Sequence, residues 1–261
     1  LIPVNSFGIP REMASFTSSI SQGILSQMNE GNLEQKPNDL PIGEIAKILL
    51  NEGEKAIESP MSLAIRSVEN LQEVARGFEQ LAAVPYEFTI SFEPQIQRWV
   101  LTTGQKYRAA HQFDGEFDPE LGRRMGHDSR FIHNHPILSE RTHSPPSVGD
   151  FSAIAGLAIN EKKPIISLVI TSHGLTQYGF KNAGIVPPLR IRQLWAEICA
   201  NKGIKAHVEN DADIEKISKQ EWGQYDGALD ELVMTINGTM ELYKWEDSME
   251  VEIALSSFFK G

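Results

Sequence analysis

The sequence predicts an α/β (α+β) protein, a mixed β-sheet flanked by helices, with a helical N-terminal extension and a C-terminal antiparallel β-meander. Three observations predict it. Apolar residues recur at helical spacing as far as Leu81, and the period falls to two directly after Pro85. From there to Asn201 strand-like and helix-like stretches alternate, as they do where helices cover a sheet.

The elements follow in order. Met13, Phe16, Ile20, Ile24 and Leu25 recur near helical spacing and predict a helical arm between Arg11 and Met28. Pro37, Pro41 and Gly43 punctuate a connection, and Ile45, Ile48, Leu49 and Ala56 mark a second helix ending before Pro60. From Met61 the spacing of Leu63, Ile65, Val68, Leu71, Val74, Phe78 and Leu81 reads as one helix that Pro85 stops. Phe88, Ile90 and Phe92 then alternate with Glu87, Thr89 and Ser91, the pattern of a half-buried strand. Trp99 and Leu101 begin a second strand, Gly104 suits a turn before Tyr107 to Phe113, and Asp118 to Met125 reads as a short helix. Phe131 to His135 is a strand, and a Ser- and Pro-rich loop leads to a helix from about Asp150 to Asn160. Pro164 to Thr171 is an apolar strand, Leu175 to Phe180 its antiparallel partner, and Leu189 to Asn201 a helix. Asn237-Gly238 between Leu232, Met234, Ile236 and Met240, Leu242 signals a type I′ hairpin. Met249, Val251, Ile253 and Leu255 alternate again, so a three-stranded meander is expected between Ala228 and Phe258. The expected organisation is an N-terminal extension over residues 1–65, a central domain over 66–190 and a C-terminal helix plus meander over 191–261.

Composition sets the class of protein. The 261 residues are 41% hydrophobic and 23% charged, the balance of a chain that folds around a core. No stretch approaches the roughly 18–20 uninterrupted apolar residues of a membrane helix, so no membrane partner is expected. Asp and Glu number 35 against 24 Lys and Arg, and the net charge of -11 repels phosphate backbones. Nucleic acid is therefore not an expected partner. Residues 201–261 carry 13 acids and 6 bases, read as a solvated acidic surface. The single cysteine, Cys199, is read as core; it allows no internal disulfide and no thiolate cluster, and a cytoplasmic protein is expected.

The chemistry concentrates in Phe131-Ile132-His133-Asn134-His135-Pro136 and Ser147-Val148-Gly149-Asp150. On a strand, residues two apart share a face at about 6–7 Å, so His133 and His135 can reach one metal ion. The loop after Pro136 returns to Asp150 at a helix start, where a carboxylate can be the third ligand, with His143 an alternative. Two nitrogens, one oxygen and an open position suit catalytic Zn2+. Hydrolysis also needs a base to move the water's proton. Glu87 is the first choice because it lies opposite Phe88, Ile90 and Phe92 in facing; Glu116 and Glu120 are weaker candidates. Ser147, three residues before Asp150, can donate a hydrogen bond to an oxyanion.

A Glu, then His-x-His-Pro, then Ser-x-x-Asp resembles the signature of the JAMM (MPN+) zinc metalloproteases, and His133-Asn134-His135-Pro136 is most similar to the RadC-like branch. The resemblance spans roughly residues 81–180, and the 46 residues from Glu87 to His133 fit the family's interval. It implies a JAMM/MPN-like core of mixed sheet and helices, with residues 66–190 as the catalytic domain. His133, His135 and Asp150 would bind Zn2+, Glu87 would act as general base and acid, and Ser147 as oxyanion donor. The implied activity is hydrolysis of an isopeptide or peptide bond in a ubiquitin-like or other protein substrate. The loop from His135 to Asp150 is about four residues longer than the family's pattern, and its middle, Leu138 to His143, is expected to act as a substrate-facing flap.

Three other readings fit the sequence less well. A non-catalytic MPN-like scaffold has no need of ligands and base together. A barrel amidohydrolase needs about 200 residues after its HxH, whereas 126 follow His135. An HNH nuclease spreads its three residues over a ββα unit and meets the wrong charge.

Overall fold

The computed structural model describes residues 39–53, 61–93, 98–103, 130–136, 145–180, 185–206 and 217–260. The helical arm read at residues 11–28, the strand at 107–113 and the helix at 118–125 lie outside them. The described helices are α1 (Ile42–Glu52), α2 (Leu71–Leu81), α3 (Val148–Glu161), α4 (Pro188–Lys202), α5 (Lys219–Thr235) and α6 (Ser248–Lys260). The strands are β1 (Ser62–Ala64), β2 (Phe88–Glu93), β3 (Arg98–Thr103), β4 (Phe131–Asn134), β5 (Ile166–Thr171), β6 (Gly174–Gly179) and β7 (Thr239–Lys244). They form one mixed sheet in the order β1-β3-β2-β4-β5-β6-β7. The sheet takes β1 from the segment before residue 66 and β7 from the segment after residue 190.

Strand alternation sorts the side chains into two layers. Phe88, Ile90, Ile132, Leu168 and Ile170 face a core closed by α1, α2 and α6, where Leu49, Phe78 and Leu255 are fully buried. Phe131, Val169 and Tyr178 face a second core closed by α3, α4 and α5. Each fully buried Leu or Phe side chain contributes roughly 1.5–3 kcal/mol. Because both faces are covered, Thr89 and Ser91 are buried as well, and β2 is not the half-exposed strand its alternation suggests.

Two regions depart from the sequence reading. Met61 to Leu81 is not one helix: Ser62–Ala64 pairs antiparallel with β3, and α2 starts only at Leu71, after Asn70 caps it by accepting the Glu73 N–H. The C-terminal meander is also absent. Leu229, Leu232, Val233 and Ile236 are buried while Met234 is 72% exposed, so the interval that decides is three and four residues, not two. The same holds for α6, where Val251, Ala254, Leu255 and Phe258 are buried and Met249 and Ile253 are exposed. Asn237-Gly238 does not turn a hairpin but ends α5. Asn237 has φ 52, its N–H bonds the Met234 carbonyl and the Gly238 N–H bonds the Val233 carbonyl, which is a Schellman closure. Only β7 of the expected strands forms, and it pairs antiparallel with β6.

What positions the site is the single parallel pairing among the described strands, β4 with β5. Parallel neighbours need a crossover, and α3 supplies it. The helix therefore begins at the C-terminal end of β4, beside the residues that end that strand.

Candidate metal centre

His133 lies near the end of β4, paired with Thr89 on one side and Val169 on the other, and points toward α3 between the rings of Phe131 and Tyr178. His135 follows on the same face, its N–H held by the Ile170 carbonyl at 3.0 Å. Asp150 sits in the first turn of α3. Ser147 is the N-cap, and the two residues form a reciprocal box: the Ser147 N–H donates to Asp150 Oδ2 at 2.6 Å, and Ser147 Oγ accepts the Asp150 N–H at 3.3 Å. Asp150 is thus aimed by the helix start itself.

The three side chains converge. The Nε2 atoms of His133 and His135 are 3.2 Å apart, His133 Nε2 is 3.2 Å from Asp150 Oδ1, and His135 Nε2 is 3.4 Å from Asp150 Oδ2. A tetrahedral cation with bonds of about 2.0–2.1 Å has donor-to-donor edges of about 3.3–3.4 Å, so the cluster has the size of a site that could hold a metal ion. His133 is 3% exposed and Asp150 8%. Burial opposes the charge on Asp150, but His133 and then His135, through charge and hydrogen bonds, hold its carboxyl well below the usual range. The carboxylate is ionised and ready to ligate. Both imidazoles turn Nε2 toward the Asp150 carboxylate.

Glu87 immediately precedes β2 and is buried, 6% exposed. Alternation from Thr89, which pairs with His133, puts Glu87 on the face that the histidines occupy. Ser147 is exposed at the rim, and a hydroxyl that accepts an N–H still has its own proton to donate. Glu116, Glu120, His143 and the loop over 137–144 lie outside the described residues.

Two further residues belong to this neighbourhood. Asn134, between the two histidines, is fully buried and bonds the β2 backbone through its amide, accepting from the Phe88 N–H at 2.7 Å and donating to the Tyr86 carbonyl at 3.0 Å. Tyr178 is fully buried, its hydroxyl kept protonated chiefly by burial and secondly by the charge of Asp150. Alternation alone turns Asn134 away from the histidines, and Tyr178 reads as an ordinary strand aromatic, so neither stands out in the sequence.

Cys199 is buried in the α4 core as a free thiol. Among the described residues no helix is long and apolar enough to cross a membrane. Comparison with protein-family models, with curated proteins and with solved structures found no match for this chain.

Proposed function

We propose that this protein is a zinc-dependent hydrolase that cleaves an isopeptide or peptide bond in a protein substrate, in the manner of the JAMM (MPN+) metalloproteases it resembles. The observation that carries the reading is the meeting of His133, His135 and Asp150 within 3.4 Å contacts at the end of β4, with Glu87 on the same face. His133, His135 and Asp150 would hold the ion. Zinc bound there supplies Lewis acidity and lowers the pKa of a water toward about 7.

The chain's own groups do the rest. Glu87 takes the proton of the attacking water and delivers it to the leaving amine nitrogen, a role suited to a carboxylate buried beside the ligands. The Ser147 hydroxyl donates to the carbonyl oxygen as charge builds on it. Asp150 is held in place by the Ser147 N–H, which donates to its Oδ2. A ubiquitin-like conjugate is the substrate class that the motif suggests, and the cytoplasm is the proposed compartment.

The test is incubation of zinc-loaded protein with a panel of ubiquitin-like conjugates and free peptides, read by mass spectrometry, beside Glu87→Gln. The wild type should cleave one class, and Glu87→Gln should keep its zinc and lose most of the hydrolysis. If Glu87→Gln cleaves as well as the wild type, Glu87 is not the base. If neither protein cleaves any member, the non-catalytic scaffold becomes the better reading.

A further inference from the structure

We propose that Asn134 is a positioning residue for Glu87, fixing the base relative to the metal ligands from a place in the chain between those ligands. The proposal rests on the reading of Glu87 as the base. The Tyr86 carbonyl belongs to the peptide group that precedes Glu87, and the Phe88 N–H belongs to the one that follows it. Asn134 binds both, at 3.0 and 2.7 Å, so one amide side chain holds the two peptide planes whose rotation sets φ and ψ of Glu87. A side chain in this place needs one donor and one acceptor on a planar fork. Asparagine has them; Asp lacks the donor, and Ser has a single atom to serve two partners.

The need for such a clamp follows from the strand geometry. The backbone of β4 pairs with β2 as far as the Phe131–Ser91, Ile132–Ile90 and His133–Thr89 register. On its other side β4 pairs with β5 from Ile132–Leu168 to Asn134–Ile170, and His135 bonds the Ile170 carbonyl, so past His133 only the β5 side of the ladder continues. The Asn134 amide therefore takes over the pairing with β2 at the position beside Glu87. Tyr86 is tied on its other side, its hydroxyl donating to the Leu49 carbonyl at 3.1 Å, so the clamp holds Glu87 against an anchored neighbour. Asn134 thereby couples the carboxylate to His133 and His135, its own chain neighbours.

The test uses the full chain with zinc, and with cobalt in its place, for wild type, Asn134→Asp, Asn134→Ser, Glu87→Gln and each Asn134 variant combined with Glu87→Gln. The expected result has three parts. Metal stoichiometry is kept in every variant. Amide exchange at Phe88 becomes at least about tenfold faster in Asn134→Ser, where the buried N–H loses its acceptor, whereas Asn134→Asp keeps that acceptor and loses only the donor to the Tyr86 carbonyl. The cobalt absorption spectrum changes in Glu87→Gln and in the Asn134 variants, with no further change in the combined variants, the signature of action through Glu87. On the conjugate cleaved fastest by wild type, Asn134→Asp should lower kcat about 10²-fold with KM held, the scale of a misplaced catalytic group. In the Glu87→Gln background it should cost less than about twofold.

A wild-type cobalt spectrum in Asn134→Asp and Asn134→Ser overturns the proposal, as do effects that add in full to those of Glu87→Gln. A Glu87→Gln protein unchanged in spectrum and turnover instead removes Glu87 from the site, and the proposal falls with that reading. If Asn134→Asp does not fold, Asn134→Ser decides by the same criteria.

Discussion

Replacing Ser147 with Ala separates the cap that this residue forms from the oxyanion role proposed for it. The cap is lost: Ser147 Oγ no longer accepts the Asp150 N–H, a bond of 3.3 Å at an exposed position. Removing a Ser N-cap costs about 0.5–2 kcal/mol, and a long, part-buried bond belongs near 1 kcal/mol. For a domain of this size that lowers Tm by about 2–4 °C. The ligand geometry should survive, because the shorter arm of the box, 2.6 Å to Asp150 Oδ2, comes from the main-chain N–H that Ala retains. Zinc content by elemental analysis should therefore equal that of wild type, while turnover falls about 10²–10³-fold if the hydroxyl serves the oxyanion. Ser147→Thr, which keeps a hydroxyl, should restore Tm and most of the turnover. A fall in Tm beyond about 8 °C, or loss of zinc from Ser147→Ala, would refute the idea that the backbone aims Asp150.

Further outcomes follow from the same structure. Leu255→Ala should cost about 2–5 kcal/mol in urea unfolding whereas Ile253→Ala stays within about 0.5 kcal/mol, since α6 buries the first and exposes the second; equal costs would restore the expected strand. Cys199, its thiol pushed up to about 11 by burial against a small opposing effect of Lys202, should resist alkylation at pH 8, where only about 0.1% is thiolate. Rapid labelling of the native protein would contradict its place in the core. Asp150→Asn should lose zinc and hydrolysis together, and retained zinc would move the third ligand elsewhere.

The site was legible because its parts are local. His133 and His135 share a face by strand period alone, and Ser147 stands three residues before Asp150, the interval of an N-terminal capping box. The facing of Glu87 follows from the alternation of β2, which it immediately precedes. The C-terminal region was not legible because Met249, Val251, Ile253 and Leu255 satisfy both periods over so short a run; Ala254 and Phe258, buried on the helical face, decide between them. Asn237-Gly238 misled for a related reason, since hairpin turns and Schellman caps both need a residue at positive φ. The strand at Ser62–Ala64 owes its form to β3, a partner remote in sequence. The Asn134 clamp depends on where the β2–β4 ladder stops, which no spacing along the chain encodes.

The metal content of the purified protein tests the central claim most directly. Protein prepared without chelator should carry about one zinc per chain, as two imidazoles and an ionised carboxylate converging on one point require. The His133→Ala, His135→Ala double variant, still folded by circular dichroism, should carry essentially none. Wild-type protein with less than about 0.2 zinc after equilibration with the metal, or a double variant whose zinc is unchanged, would contradict the assignment of the site.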